Sequence, residues 1–76
     1  MRPLLDLRPG QSACLALVGG DRAFRRRLME MGFLPGTVVR LVRRVDIADL
    51  LELEIRGSRI SLRRSEADAL FLETEG

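Results

Sequence analysis

Apolar and charged residues alternate along the second half of the chain. Residues 50–56 read Leu-Leu-Glu-Leu-Glu-Ile-Arg, so that Leu51, Leu53 and Ile55 are each followed by a charged neighbour. This period of two predicts a β-strand with one face toward a core and the other toward water. Residues 59–63, Arg-Ile-Ser-Leu-Arg, repeat the pattern and predict a second strand.

A tight turn is predicted between these two strands. Gly57-Ser58 is a residue pair that two-residue hairpin connections favour. Side chains that face each other across a hairpin interact, and the polar faces of both strands carry charges. We therefore expect Glu52 and Glu54 to form ion pairs with Arg59, Arg63 or both.

Two proline–glycine turns divide the first half of the chain. Residues 8–11 read Arg-Pro-Gly-Gln and residues 34–37 read Leu-Pro-Gly-Thr. Both have the pattern of a type II turn, because proline fixes φ near about −65° at the second position and glycine accepts a positive φ at the third. An apolar stretch follows each turn, which predicts strands over residues 13–18 and 38–45.

A helix is predicted from Asp21 to Met31, between the two turns. Asp21 is suited to the N-cap, and Gly32 is suited to the left-handed position that ends many helices. Phe24, Leu28 and Met31 recur at helical spacing, so we expect them to share the face that packs on the sheet.

The opposite face of this helix is a candidate docking surface. At about 100° of rotation per residue, Arg25, Arg26 and Met29 lie about 100° to 200° away from Phe24. An exposed methionine is an adaptable apolar contact, and guanidinium groups beside it can form charge-assisted bonds. We therefore predict that Arg25, Arg26 and Met29 bind a partner.

The remaining signals complete a mainly β chain. Residues 65–68, Ser-Glu-Ala-Asp, have the spacing of a capping box and predict one helical turn, and residues 69–73 predict a last strand. The total is about five short strands with one inserted helix. Strands this short favour a curled sheet or small barrel, which hides strand edges. A chain of this length supports one core, so we expect a single domain over residues 1–76.

Composition limits the classes of partner. All 13 basic residues are arginine, and 11 acids leave a formal net charge of only +2. Small barrels often bind RNA or DNA, but such surfaces stack bases on aromatic side chains. This chain has three phenylalanines and neither tyrosine nor tryptophan. We therefore predict no nucleic-acid partner. Strand edges and apolar tips make self-association reasonable, although no residue requires it.

The side chains present argue against catalysis and against a metal centre. Histidine, the usual general base and a preferred ligand of Fe(II) and Mn(II), is absent. Cys14 is the only cysteine and lies in an apolar stretch, so we expect it to serve packing. Gly19-Gly20 lacks the spacing of a phosphate-binding loop. We predict no catalytic, cofactor-binding or metal-ligating residue in one chain; a weak or interchain Fe(II) or Mn(II) site is left open.

The chain carries no recognisable targeting or membrane segment. No apolar run approaches the roughly 20 residues that span a bilayer. Asp6 stands where a signal peptide would continue its apolar stretch. We expect a cytoplasmic protein without membrane insertion.

Residues 27–37 read Arg-Leu-Met-Glu-Met-Gly-Phe-Leu-Pro-Gly-Thr. This segment resembles the pattern of the FeoA domain family, which is Arg-Leu, an acid, Met-Gly-Phe and then Pro-Gly-Thr. Residues 60–67, Ile-Ser-Leu-Arg-Arg-Ser-Glu-Ala, resemble its segment of apolar-x-Leu-Arg ending in Glu-Ala, and residues 4–10 resemble its opening. Residues 46–49, Asp-Ile-Ala-Asp, depart from the Pro- and Gly-containing loop of many members, so no function of that loop is carried over.

The resemblance implies a fold and a role. The fold is an SH3-like small barrel with a helical insertion, in which Phe33 and Leu34 would plug the barrel end. The role is that of a cytoplasmic accessory of bacterial ferrous-iron uptake, acting through the cytoplasmic part of a FeoB-type permease. An alternative is an iron- or manganese-sensing domain, since metal-dependent repressors carry a similar C-terminal domain. No winged helix precedes it here, so we expect the chain not to be a complete repressor.

Overall fold

Six antiparallel strands and two short helices form the part of the chain that the computed structural model describes, residues 1–74. The strands are β1 (Arg2–Pro3), β2 (Ser12–Val18), β3 (Val38–Val45), β4 (Leu50–Ile55), β5 (Ser58–Arg63) and β6 (Leu70–Leu72), and the helices are α1 (Arg22–Glu30) and α2 (Arg64–Ala67). Single 3-10 turns cover Leu4–Asp6 and Asp46–Ala48. The mainly β class with an inserted helix is confirmed, and β1 is a strand that the sequence pattern did not predict.

The strands form one sheet in the order β1-β6-β2-β3-β4-β5. β2 changes its partner halfway along, because Ser12 to Cys14 pair with β3 whereas Leu15 to Val18 pair with β6. The register shifts between Leu15 and Leu17, and such a bulge bends a strand. The sheet therefore curls around its core instead of lying flat.

A single hydrophobic core lies inside this curl. The strands supply most of it: Leu15, Val18, Val39, Leu41, Leu51, Leu53, Ile55, Leu62, Leu70 and Leu72. The inward orientation predicted for β4 is confirmed. Leu28 of α1 and Phe33 are also fully buried, so the helical insertion contributes directly to the core.

Both proline–glycine turns are confirmed. Gln11 N–H donates to Arg8 O at 2.9 Å and Thr37 N–H donates to Leu34 O at 3.0 Å. The glycines at the third turn position have φ of 89° and 92°, as a type II turn requires.

The predicted β4–β5 turn was wrong by one residue. Ile55 pairs with Ser58, so the two central residues are Arg56 and Gly57 instead of Gly57 and Ser58. Their φ values are 47° and 78°, and a type I′ turn needs a positive φ at both positions. Gly57 therefore takes the second central position, and Arg56 is placed in a conformation that arginine rarely adopts.

Helix α1 has a defined cap at each end. The Asp21 carboxylate accepts a hydrogen bond from Phe24 N–H at 2.8 Å, which confirms the predicted N-cap. At the other end, Phe33 N–H donates to Leu28 O and Gly32 N–H donates to Met29 O, both at 3.0 Å. This is a Schellman motif, with Gly32 in the left-handed position.

The apolar residues at the end of α1 differ from the prediction. Leu28 is buried and Phe24 packs against the core as expected, but Met31 is 37% exposed. The helix ends at Glu30, and after the turn at Gly32 it is Phe33 that enters the core. Leu34 was expected to plug the barrel end as well, and it is instead exposed beside its turn.

Candidate docking surface

The three predicted docking residues lie side by side on α1. Arg25, Arg26 and Met29 line one shallow depression together with Arg22 and Glu30. Met29 is half-buried instead of fully exposed. We call these five residues the α1 face.

The α1 face carries an excess of positive charge. Arg26 Nε lies 3.5 Å from Glu30 Oε1, and both side chains are well exposed to solvent. Among residues 1–74, no carboxylate lies within ion-pair distance of Arg22 or Arg25. Exposed ion pairs such as Arg26–Glu30 are weak, so the guanidinium groups of this face are available to carboxylates of a partner.

Arg27, the next arginine of α1, serves the fold instead. Its Nη2 atom lies 2.7 Å from Glu66 Oε2, and its guanidinium group stands 5.5 Å from the centre of the Phe24 ring. The other oxygen of Glu66 accepts from Arg63 N–H at 2.9 Å. Glu66 thus caps α2 and links it to α1. The predicted capping box at residues 65–68 was wrong, because the N-cap is Arg63 and the carboxylate that bonds back to it is that of Glu66.

The glutamates of β4 pair with arginines of β3. Arg40 Nη2 lies 3.0 Å from Glu54 Oε1, and Arg43 Nη2 lies 2.8 Å from Glu52 Oε1. The hydrogen bond from Arg43 holds the pKa of Glu52 below its usual value.

The predicted pairing across the β4–β5 hairpin was therefore wrong. Glu54 stands opposite Arg40 on β3 and opposite Arg59 on β5, so it has an arginine on either side. In the structure the β3 side provides the close contacts, and Arg59 and Arg63 form no ion pair with any carboxylate of the described residues.

Arg44 has a structural role that the sequence analysis missed. Its Nη2 atom donates to the carbonyl oxygens of Leu5 and Leu7, the second at 2.8 Å. These bonds connect the first 3-10 turn and the residue after it to β3. The sequence carries one indication of this role. Successive residues of a strand point to opposite faces, so Arg44 points away from the face on which its neighbour Arg43 lies.

Cys14 has the environment of a packing residue. It is half-buried, and its Sγ atom donates to Gly36 O at 3.2 Å. The neighbouring Glu73 carboxylate raises the pKa of the Cys14 thiol, and partial burial adds to this effect. Since the thiolate is the reactive form, the thiol is held in its unreactive state.

Two further features of residues 1–74 bear on the sequence expectations. No three of their histidine, cysteine, aspartate and glutamate side chains come together as they would around a metal ion. No helix among them is long and apolar enough to cross a membrane.

The loop between β3 and β4 presents Ile47 with its side chain fully exposed.

Fold and surface together define the class of this protein, a small curled β domain with a basic helix face on its outside. The chain matches the FeoA domain family over residues 2–74, and it belongs to that family. It is 33% identical over 70 residues to a protein of Porphyromonas gingivalis described as a Fe(2+) transport protein A/Fe(2+) transporter FeoB fusion protein. That match covers 92% of this chain and 8% of the length of the relative.

Solved structures of similar proteins confirm the fold. The FeoA of Stenotrophomonas maltophilia, described as complexed with zinc and as a procaryotic SH3 domain protein, has a TM-score of 0.79 and 31% identity, over 92% of this chain and 87% of that one. The match to the FeoA of Chlorobium tepidum has a TM-score of 0.80 and 30% identity, and it covers 88% of this chain and 64% of that one. The SH3-like fold predicted from the resemblance is thereby confirmed. A manganese-dependent transcriptional repressor in complex with manganese shares the fold. The match has a TM-score of 0.87 at 22% identity, and it covers 95% of this chain and 35% of that one.

Proposed function

We propose that this protein is a cytoplasmic, non-enzymatic accessory of bacterial ferrous-iron uptake that docks on the cytoplasmic part of a FeoB-type permease. Membership of the FeoA domain family supports the role in iron transport. The fused P. gingivalis relative supports the choice of partner, since its description joins FeoA and FeoB in one protein.

The observation that carries the docking proposal is the arrangement of the α1 face. Arg25 and Arg26 border the half-buried Met29, and Arg22 extends the positive charge along the same depression. An apolar contact ringed by charge-assisted hydrogen bonds is the usual anatomy of a small protein interface. The partner surface that fits this face carries carboxylates around one apolar side chain, and the opposite charges would also speed association.

We propose further that docking requires no metal ion bound by the monomer. The chain lacks histidine, and among residues 1–74 no three carboxylate or thiol side chains come together as they would around a metal ion. The alternative function, a metal-sensing domain, requires a bound cation. Anaerobic calorimetric titration with Fe(II) distinguishes the two: micromolar binding to the monomer would contradict the adaptor and favour the sensor.

Two methionines near the end of α1 provide a matched test of the docking surface. Met29 lies in the depression, whereas Met31 lies two residues further on, outside it. We expect Met29→Asp to weaken binding to the soluble domain of a FeoB-type permease by about tenfold or more, as substitution of a central interface residue does. Met31→Asp changes the net charge equally and should bind as the unchanged protein does.

The measurement is calorimetric titration of each variant, with circular dichroism to confirm that both fold. Equal affinities for the two variants would remove the α1 face from the interface. Failure of the unchanged protein to bind the permease domain would overturn the docking proposal itself.

A further inference from the structure

Strand β5 lies at one end of the sheet and has a strand on one side only. Its residues pair with β4 from Ser58 to Arg63. Apart from the pairing with β4, no backbone hydrogen bond among residues 1–74 involves Arg59 or Ser61. An uncovered strand edge of this kind can accept an additional strand.

The hydrogen-bond pattern shows which backbone groups face outward along this edge. Arg64 N–H donates to Asp49 O at 2.9 Å, which continues the β4–β5 ladder by one bonded pair. Bonded and non-bonded pairs alternate in an antiparallel ladder, so Arg59, Ser61 and Arg63 stand at non-bonded positions with their N–H and C=O groups directed away from β4. Arg63 N–H is already bonded to Glu66 Oε1. Arg59 and Ser61 therefore present the open part of the edge.

The charges on the outer face of the sheet indicate what an added strand should carry. Arginines of β3 and glutamates of β4 form close pairs, Arg40 with Glu54 and Arg43 with Glu52. The next strand again carries arginines on this face, and those of β5 have no ion-pair partner among the described residues. Basic, acidic and again basic side chains thus follow one another from β3 to β5, and the last of these are Arg59 and Arg63. Carboxylates on a further strand would continue the alternation.

We propose that the β5 edge binds an extended acidic segment of a partner protein, which joins the sheet as an additional antiparallel strand. Its backbone bonds to Arg59 and Ser61, and carboxylates at alternate positions pair with the guanidinium groups of Arg59 and Arg63. This surface is separate from the α1 face and does not depend on the identity of the permease. Because α2 follows β5 directly and the Glu66 carboxylate already accepts the hydrogen bond of Arg63 N–H, the added strand is short and its affinity is modest.

The proposal is tested with a synthetic peptide and the full chain labelled with nitrogen-15. The probe is a blocked peptide with alternating carboxylates, Thr-Glu-Val-Glu-Val-Glu-Thr. The control peptide has the same composition in the order Thr-Val-Val-Glu-Glu-Glu-Thr. We expect the alternating peptide to shift the amide signals of residues 58–63 and to slow hydrogen exchange at Arg59 and Ser61, and the control peptide to bind about tenfold more weakly.

Ser61→Pro removes one outward amide without removing a bond to β4. Proline is tolerated on an edge strand where its nitrogen faces away from the ladder. This variant should lose peptide binding, whereas Ser61→Thr retains the amide and should bind as the unchanged protein does. Unaltered binding by a folded Ser61→Pro variant would overturn the proposal.

Charge is tested separately, so that the proposal stays falsifiable if the proline variant fails to fold. Arg59→Glu should weaken peptide binding by about tenfold or more, because it places a carboxylate opposite the acidic strand. Arg8→Glu changes the net charge equally at the turn before β2 and should leave binding unchanged. Equal losses in both variants, equal binding of the two peptides, or absence of binding to the unchanged protein would each overturn strand addition at β5.

Discussion

Arginines on β3 and on α1 have different roles in the same small molecule. On β3, Arg40 and Arg43 contact glutamates of the neighbouring strand, and Arg44 bonds to two backbone carbonyls. On α1, Arg22 and Arg25 lie on the outer surface with no ion-pair partner in residues 1–74. The position of each arginine therefore decides its role: those of β3 are held by contacts within the fold, whereas those on the outside of α1 have no ion pair or only a weak, exposed one and remain available for binding.

The helix can leave its outer arginines free because other groups hold it in place. Leu28 is fully buried in the core, and the Asp21 cap and the Schellman motif satisfy the backbone at the two ends. Arg27 adds a link to α2 through Glu66. Substitutions that remove contacts holding the fold together should therefore change the free energy of unfolding far more than substitutions on the α1 face.

The largest effect is expected when α1 loses its anchor. Leu28→Ala leaves a cavity in the core and should lower the free energy of unfolding by about 2–5 kcal/mol, as other buried leucine truncations do. For a domain of this size that is most of its stability, and docking should be lost with it. Urea unfolding measures the change, and Leu34→Ala, at an exposed leucine, is the control. A cost below about 1 kcal/mol would show that the core does not hold the helix.

An intermediate effect is expected from Arg44. Arg44→Met keeps the apolar part of the side chain but leaves the carbonyls of Leu5 and Leu7 without their charged donor. The free energy of unfolding should fall by about 1.5–3 kcal/mol, the range for hydrogen bonds to charged groups. Arg25→Met, on the α1 face, should change it by less than about 0.5 kcal/mol. Equal costs at the two positions would contradict the division between structural and surface arginines.

The smallest effect is expected at the Arg43–Glu52 pair, and it should depend on pH. The pKa of Glu52 is lowered in the folded state, so the pair stabilises the protein above the usual pKa of 4.5 and its contribution is lost as pH falls through the lowered value. Glu52→Gln should therefore destabilise the protein at pH 7 and have no effect in strong acid.

The pH dependence is measured by urea unfolding at a series of pH values. The control is the same substitution in an Arg43→Met background, where the difference should be small at every pH. A Glu52→Gln effect that persists in strong acid would show that the side chain acts through something other than its charge.

The features that sequence predicted well are those set by neighbouring residues. The proline–glycine turns and both caps of α1 involve bonds between residues a few positions apart, so residue type and spacing decide them. The three residues that are predicted to bind a partner lie together because helical rotation alone places Arg25, Arg26 and Met29 on one face. The partial burial of Met29 was not predictable in the same way, since it depends on the conformations of neighbouring side chains, which helical rotation does not fix.

Several features that sequence did not predict depend on choices between distant partners. Glu54 has an arginine opposite it on each neighbouring strand, and residue spacing cannot choose between Arg40 and Arg59. The bonds of Arg44 to Leu5 and Leu7 join segments that lie far apart in the chain. β1 has only two residues and is a strand solely because β6 lies beside it, so no local pattern could reveal it.

The position of β6 between β1 and β2 sets the order in which this protein can be completed during synthesis. β1 and the second half of β2 are synthesised well before β6, but both pair with Leu70–Leu72. Their hydrogen-bonding edges stay open until residues 70–72 have been synthesised, and pairing over such sequence distances is slow to form. The sheet of the nascent domain is therefore completed only when β6 joins it.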